Sequence, residues 1–286
     1  MSLRFFSDHP ARLEDAQIVL VPVPYDRTCT WAKGAAQGPD AILTASEHLE
    51  GYDLETGTEV WRQGIATDLP VQVEDRPEVM VEAVQRRTTE HLERGRFTVI
   101  IGGEHSVSIG AVRAHADTTS ELTVLQLDAH ADSRASYRGS RFNHACVMAR
   151  IKECCPIVQV GVRSMDVSER SFVDPKRIFY AKDFAHDRAW IDDLLDQLSP
   201  RVYITIDLDV FDPAFMPATG TPEPGGMSWY EVLALLKAVC DRSQVVGFDV
   251  VELCPLPNHR GPDFLAAKLI YTLLSYRFKK KWAVDR

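Results

Sequence analysis

Leu122-Thr123-Val124-Leu125-Gln126-Leu127-Asp128-Ala129-His130-Ala131-Asp132 decides the fold of this chain. Residues 122–127 read as a buried β-strand, and the strand runs directly into an Asp-x-His-x-Asp cluster. Two other stretches repeat the arrangement. The apolar run 97–101 leads into Gly102-Gly103-Glu104-His105-Ser106, and the run 202–206 leads into Asp207-Leu208-Asp209. Three strands that each end in metal-type side chains describe a two-metal hydrolytic site at the carboxyl edge of a parallel sheet, where open sheets of this kind bind ligands.

The rest of the chain fits such a sheet. Strands are expected over 17–23, 97–101, 122–127, 157–160, 177–180, 202–206 and 245–250. Helices are expected over about 38–48, 77–94, 106–116, 144–154, 168–173, 187–198, 228–240 and 260–276. The strands are nearly continuous apolar runs, as in sheets covered by helices on both faces. Alternating strand and helix gives a parallel α/β fold with right-handed crossovers. Gly38-Pro39-Asp40 marks one helix start, and Ser228 with Glu231 three residues on marks another. Segment 51–76 reads as irregular surface. Residues 1–286 read as a single domain.

Composition narrows the function. The 286 residues carry a formal charge of −9, which leaves no basic stripe for nucleic acid. The one basic cluster, residues 277–281, reads as a solvated helix end. No stretch is long and apolar enough for a membrane span. The six cysteines form neither a C-x-x-C pair nor a zinc-knuckle spacing. They read as reduced thiols of a cytoplasmic protein.

In an extended segment, residues i, i+2 and i+4 point to one side. Asp128, His130 and Asp132 share that spacing, as do Asp207 and Asp209, and His105 follows a glycine pair that permits a tight turn. The four Asp carry −4 and two divalent ions carry +4. Hard oxygen donors with only two imidazoles suit Mn²⁺, with zinc, cobalt, iron and nickel open on ligand type alone. A pair of such ions lowers the pKa of bridging water toward neutrality. Any single Asp here could instead cap a helix, but desolvating the whole set without a cation would be very unfavourable.

Other positions stay open on residue type. His144 opens a helix after a polar loop and reads either as a proton carrier or as a capping or packing histidine. Glu252 ends a strand and reads either as a carboxylate for a planar cation or as an ordinary cap. Residues 219–226 form a glycine-turned loop that shapes a pocket or reverses the chain, Asp212 is expected to be structural, and Ser106 reads as a helix-start residue. No H-E-x-x-H, G-x-G-x-x-G, phosphate-loop or G-x-S-x-G motif is present.

Taken together, Gly-Gly-Glu-His-Ser, Asp-Ala-His-Ala-Asp, Asp-Leu-Asp-Val-Phe-Asp-Pro and Thr-Gly-Thr-Pro-Glu-Pro-Gly-Gly resemble, in order and spacing, the signatures of the ureohydrolases, the arginase and agmatinase family. The likeness runs from about residue 21 to about residue 273. It implies a three-layer α/β/α sandwich around an eight-stranded, mostly parallel sheet, and assembly into trimers or hexamers. It implies that Asp128 and Asp207 bridge two Mn²⁺ ions, that His105 and Asp132 complete one, and that His130 and Asp209 complete the other. A metal-bridging hydroxide would then attack a guanidinium carbon, with His144 moving protons and Glu252 gripping the guanidinium.

Residues 142–148, Glu104 and 250–253 are most similar to the short prokaryotic agmatinases, which implies a small guanidino substrate, agmatine. Arg134, Arg138 and Arg141 keep open a carboxylate-bearing substrate such as guanidinobutyrate or arginine. Trp31 and Ala218 depart from the agmatinase pattern. Formimidoylglutamate hydrolysis and a metal-stabilised assembly without catalysis are the competing readings.

Overall fold

The computed structural model describes residues 3–73, 76–185 and 189–279. Within them, eight strands form one sheet: β1 (Ile18–Val23), β2 (Ile65–Thr67), β3 (Phe97–Gly102), β4 (Leu122–Leu127), β5 (Ile157–Val162), β6 (Ile178–Tyr180), β7 (Arg201–Asp207) and β8 (Gln244–Val251). Their order is β2-β1-β3-β8-β7-β4-β5-β6, and every neighbouring pair is parallel. The expected α/β architecture is therefore present, with all strands parallel.

Alternation along the central strands splits their side chains between two cores, and Val162 and Ile178 at the β5–β6 edge pack in a small third cluster. Ile18 and Leu20 of β1 face the larger core, which also holds residues of α1 (Gly38–Ser46), α5 (Ala189–Leu195), α6 (Trp229–Arg242) and α7 (Gly261–Phe278). Val19, Val21 and Val23 face the second core, with α2 (Pro77–Leu92), α3 (Ser108–Thr118) and α4 (Val147–Ile151). The result is three layers. Pro39 stands in the first turn of α1, and the Glu231 carboxylate accepts from the Ser228 N–H at 2.7 Å at the start of α6, as the sequence predicts.

Several boundaries differ from expectation for identifiable reasons. Segment 51–76 holds the three-residue edge strand β2, Ile65-Ala66-Thr67, whose single large apolar side chain makes no strand-like run. Residues 167–171 form a 3₁₀ helix, closed by Asp166 and Glu169, rather than an α-helix. The helix expected over 144–154 is a 3₁₀ turn, His144–Cys146, followed by the five-residue α4. The first residues of the helix expected over 187–198, residues 74–75 of the irregular segment and residues 280–281 of the basic cluster lie outside the described residues. Among the described residues, no helix is long and apolar enough to cross a membrane.

Candidate metal centre and active site

The central four strands, β3, β8, β7 and β4, are neighbours in the sheet, so about 14 Å of sheet width gathers their carboxyl ends. His105 lies just after β3, Asp128, His130 and Asp132 after β4, Asp207 and Asp209 at the end of β7, and Glu252 after β8. All seven candidates from the three clusters and β8 thus meet at one edge. Most are buried, and His130 is the most accessible, at 24% side-chain exposure.

Two sets of donors form there. His105, Asp128 and Asp132 offer atoms within 4.8 Å of one another, and so do Asp128, His130 and Asp209. Asp128 belongs to both. His105 Nδ1 lies 3.1 Å from Asp128 Oδ2, 3.1 Å from Asp132 Oδ2 and 3.5 Å from Asp207 Oδ2. His130 Nδ1 lies 2.8 Å from Asp209 Oδ2.

The hydrogen bonds around His105 test whether a cation fits. Its Nε2 is 2.9 Å from Thr205 Oγ1, and the Thr205 hydroxyl donates to Asp249 Oδ1 at 2.6 Å. That leaves Nε2–H as the donor to Thr205 and turns Nδ1 toward the carboxylates. Nδ1 is buried and makes no hydrogen bond among the described residues. A buried imidazole nitrogen facing three carboxylate oxygens calls for positive charge between them.

Electrostatics across the site say the same. Burial, and then the Asp128 charge, push Asp132 up to about 7. Burial, then Asp209 and Asp128, hold Asp207 well above the usual carboxylate range. Burial opposes charge on His130, yet Asp209 and Asp128 outweigh it and raise the imidazole to about 12. These groups repel one another unless cations stand among them, and oxygen-rich sets with one imidazole each suit hard divalent ions. The residues fit a pair of divalent metal ions.

A row of polar side chains crosses the sheet one level below. Asp249, Thr205, Gln126 and Gln159 are in register on β8, β7, β4 and β5. Gln159 Nε2 donates to Gln126 Oε1 at 2.6 Å, and Gln126 Nε2 donates to Asp128 Oδ2 at 2.6 Å. Tyr203 donates to the second oxygen of Asp249 at 2.9 Å. Such buried partners orient the side chains above them. Sequence reasoning passed over this row. Its signal was a polar residue inside an apolar strand, two positions before Asp128 and before Asp207.

A cavity of about 300 Å³ opens above the two donor sets. Its floor includes His130, Asp132, Asp207, Asp209 and Glu252, and its walls include Trp31, Tyr137, His144, Met165 and Gly220. Glu252 is 8% exposed and adopts a left-handed backbone, φ 66°. Its Oε1 accepts from the His105 N–H at 2.7 Å. Burial, then the Glu104 charge, raise its carboxyl to about 8. No cation pairs with it among the described residues. His144 lies in the wall, where burial lowers its imidazole to about 4.

The uncertain positions resolve individually. Asp212 is structural: it accepts from Ala214, Gly225 and Gly226 N–H groups and ties the 219–226 loop to the end of β7. Ser106 stands at a helix start, in the 3₁₀ turn His105–Val107 that leads into α3, and its hydroxyl donates to the buried Glu104. Arg134 reaches the cavity but faces Asp166 and Glu169, each at 3.8 Å, and stacks on Tyr137. Arg138 lies over the same ring, and Arg141 pairs with Glu153 at 2.9 Å on the surface. Trp31 is 82% exposed at the mouth.

Comparison with known proteins places this geometry. Residues 16–275 match the arginase family. An N(1)-aminopropylagmatine ureohydrolase of Synechocystis sp. is 40% identical over 92% of this chain and 89% of its own length. An agmatinase of Pyrococcus horikoshii is 35% identical over 92% of each chain. Among solved structures, the agmatine ureohydrolase of Thermoplasma volcanium superposes with a TM-score of 0.88 at 32% identity, covering 98% of this chain and 96% of that one.

Proposed function

The chain belongs to the arginase family and is a hydrolase of guanidino C–N bonds, and on that premise we propose that it hydrolyses agmatine to urea and putrescine with two Mn²⁺ ions. One observation carries the reading: Glu252, a buried carboxylate without a cationic partner among the described residues, lies on the floor of a cavity beside two donor sets that share Asp128.

His105 and Asp132 with Asp128 would hold one ion, and His130 and Asp209 with Asp128 the other, with Asp207 beside them as a further carboxylate donor. When bound, the pair would bring water to a pKa near neutrality and so make hydroxide available at pH 7. Glu252 then grips the guanidinium. A planar cation meets a carboxylate through two N–H donors, and its charge relieves the repulsion that raises the carboxyl. His144, neutral at pH 7, takes the proton that the attacking water loses, and as the tetrahedral carbon collapses the leaving nitrogen receives two protons, one from the added hydroxyl and one from His144. Urea and the protonated amine leave.

The wall favours a substrate without a carboxylate. Arg134 is answered by Asp166 and Glu169 and Arg141 by Glu153, and Arg138 lies over the Tyr137 ring and does not line the cavity, which supports a substrate other than arginine, guanidinobutyrate or formimidoylglutamate. A second reading rests on the 40% relative, named an N(1)-aminopropylagmatine ureohydrolase. An aminopropyl extension adds a second cationic nitrogen, and Asp166 at the cavity wall and Trp31 at its mouth suit one.

We also read the whole chain as one catalytic unit that assembles into trimers or hexamers. The six cysteines, all free, support a cytoplasmic location. The function is tested by assaying urea from Mn-loaded protein with agmatine, N(1)-aminopropylagmatine, arginine and guanidinobutyrate. Urea from the first or second is expected. Urea only from the carboxylate-bearing pair would overturn the substrate, and none from any would overturn the activity.

A further inference from the structure

Thr28 lies in the loop after β1, 76 residues from Glu104 and 116 from His144, yet it joins the two. Gly103 makes the approach possible. A Cβ at that position would stand 2.1 Å from the Tyr25 carbonyl oxygen, so only glycine lets the loop lie against the end of β3. The Glu104 N–H donates to that same carbonyl at 2.7 Å and fixes the loop there.

Glu104 is fully buried and collects four donors. The Thr28 and Cys29 N–H groups bond to Oε2 at 2.6 and 3.1 Å. The Thr28 hydroxyl, at 2.6 Å, and the Ser106 hydroxyl bond to Oε1. A hydroxyl has one hydrogen to give and two lone pairs to offer. The Thr28 hydrogen is committed to Glu104. One lone pair accepts from the His144 N–H at 2.9 Å. The other faces His144 Nδ1 at 3.1 Å, so that nitrogen must be the donor.

We propose that Glu104 and Thr28 are positioning residues that lock His144 in the Nδ1–H tautomer, leaving Nε2 as the proton-accepting nitrogen in the cavity. The inference rests on the role given to His144 above, but the lock itself is independent of turnover. It explains why a buried carboxylate that is no member of either donor set takes up hydrogen bonds from a distant loop. It also explains the hydroxyl at position 28: alanine or valine would leave Nδ1 without an acceptor and free the ring to exchange tautomers.

The test uses the full-length chain, labelled with ¹⁵N-histidine and loaded with diamagnetic Zn²⁺, with His144→Asn identifying the His144 signals. The expected spectrum shows Nδ1 protonated and Nε2 unprotonated in the wild type and in Thr28→Ser, and a mixture or reversal in Thr28→Val. In turnover, Thr28→Val should lose kcat on the order of 10²-fold with KM little changed, and Thr28→Ser should restore it to within a few-fold. Protonated Nε2 in the wild type would overturn the lock, as would an unchanged tautomer in Thr28→Val. The wild-type spectrum decides the matter even if Thr28→Val does not fold. A correct tautomer in a chain that releases no urea would count against the proposed reaction alone.

Discussion

Asp128 stands between His105 and His130, its Oδ2 3.1 Å from one Nδ1 and its Oδ1 3.7 Å from the other. One side chain therefore links the two donor sets, and losing it should cost both. Asp128→Asn is expected to hold less than one divalent ion per chain where the wild type holds two, and to lose more than ~10²-fold in activity. Metal analysis after gel filtration checks this. Retention of one full ion would show that the sets are independent.

Gln126 offers a gentler probe, because its amide orients Asp128 from within the sheet. Gln126→Leu keeps the volume and removes the donor. Metal affinity should fall about 10–100-fold, with far-ultraviolet circular dichroism unchanged. Titration against a chelating competitor measures it.

Glu252→Gln removes the charge but keeps the shape. A hydrogen bond to a charged group contributes about 1.5–3 kcal/mol, so kcat/KM for the guanidino substrate should fall on the order of 10- to 100-fold, mainly through KM. Metal content should stay at the wild-type level, since Glu252 belongs to neither donor set. Steady-state kinetics and metal analysis together separate this from a general loss of the site.

Far from the metal layer, His115 gives a pH dependence with a definite sign. Burial lowers its imidazole to about 3 from 6.5, beside Thr98 and the Tyr203 ring. Below pH 6.5 the unfolded chain takes up a proton that the folded chain refuses, so stability is complete above 6.5 and falls as pH drops toward 3. The slope reaches about 1.4 kcal/mol per pH unit. Urea midpoints at pH 7 and pH 5 should differ less for His115→Gln than for the wild type.

Gly103→Ala is expected to destabilise by about 2–3 kcal/mol, because the new methyl collides with the Tyr25 backbone. It should also loosen the loop that carries Thr28. Thermal unfolding reads the first effect, and the His144 nitrogen spectrum reads the second.

The parts legible in the sequence were those written in local pattern. Apolar runs announced seven of the eight strands, and Ile65-Ala66-Thr67 was missed because alanine and threonine follow its one large apolar side chain, whereas the equally short β6 reads Ile178-Phe179-Tyr180. The six metal-type side chains were legible because each cluster sits directly on its strand. What the sequence hid was pairing across distance. Gln126, Thr205 and Asp249 looked like interruptions of apolar strands until register set them in one row. Thr28 carried no local mark at all, since its meaning depends on Glu104 and His144, which only the folded chain brings near.

The cavity has two kinds of boundary. Its chemical floor is held at the ends of four contiguous central strands, whereas Trp31, Tyr137, Met165 and Gly220 belong to connecting loops. Loops accept substitution and changes of length far more readily than strands that share registered neighbours. Inheritance can therefore vary what is cut while keeping how it is cut. A different tail on the guanidino group would then call for a few new rim residues, with the reaction itself never interrupted.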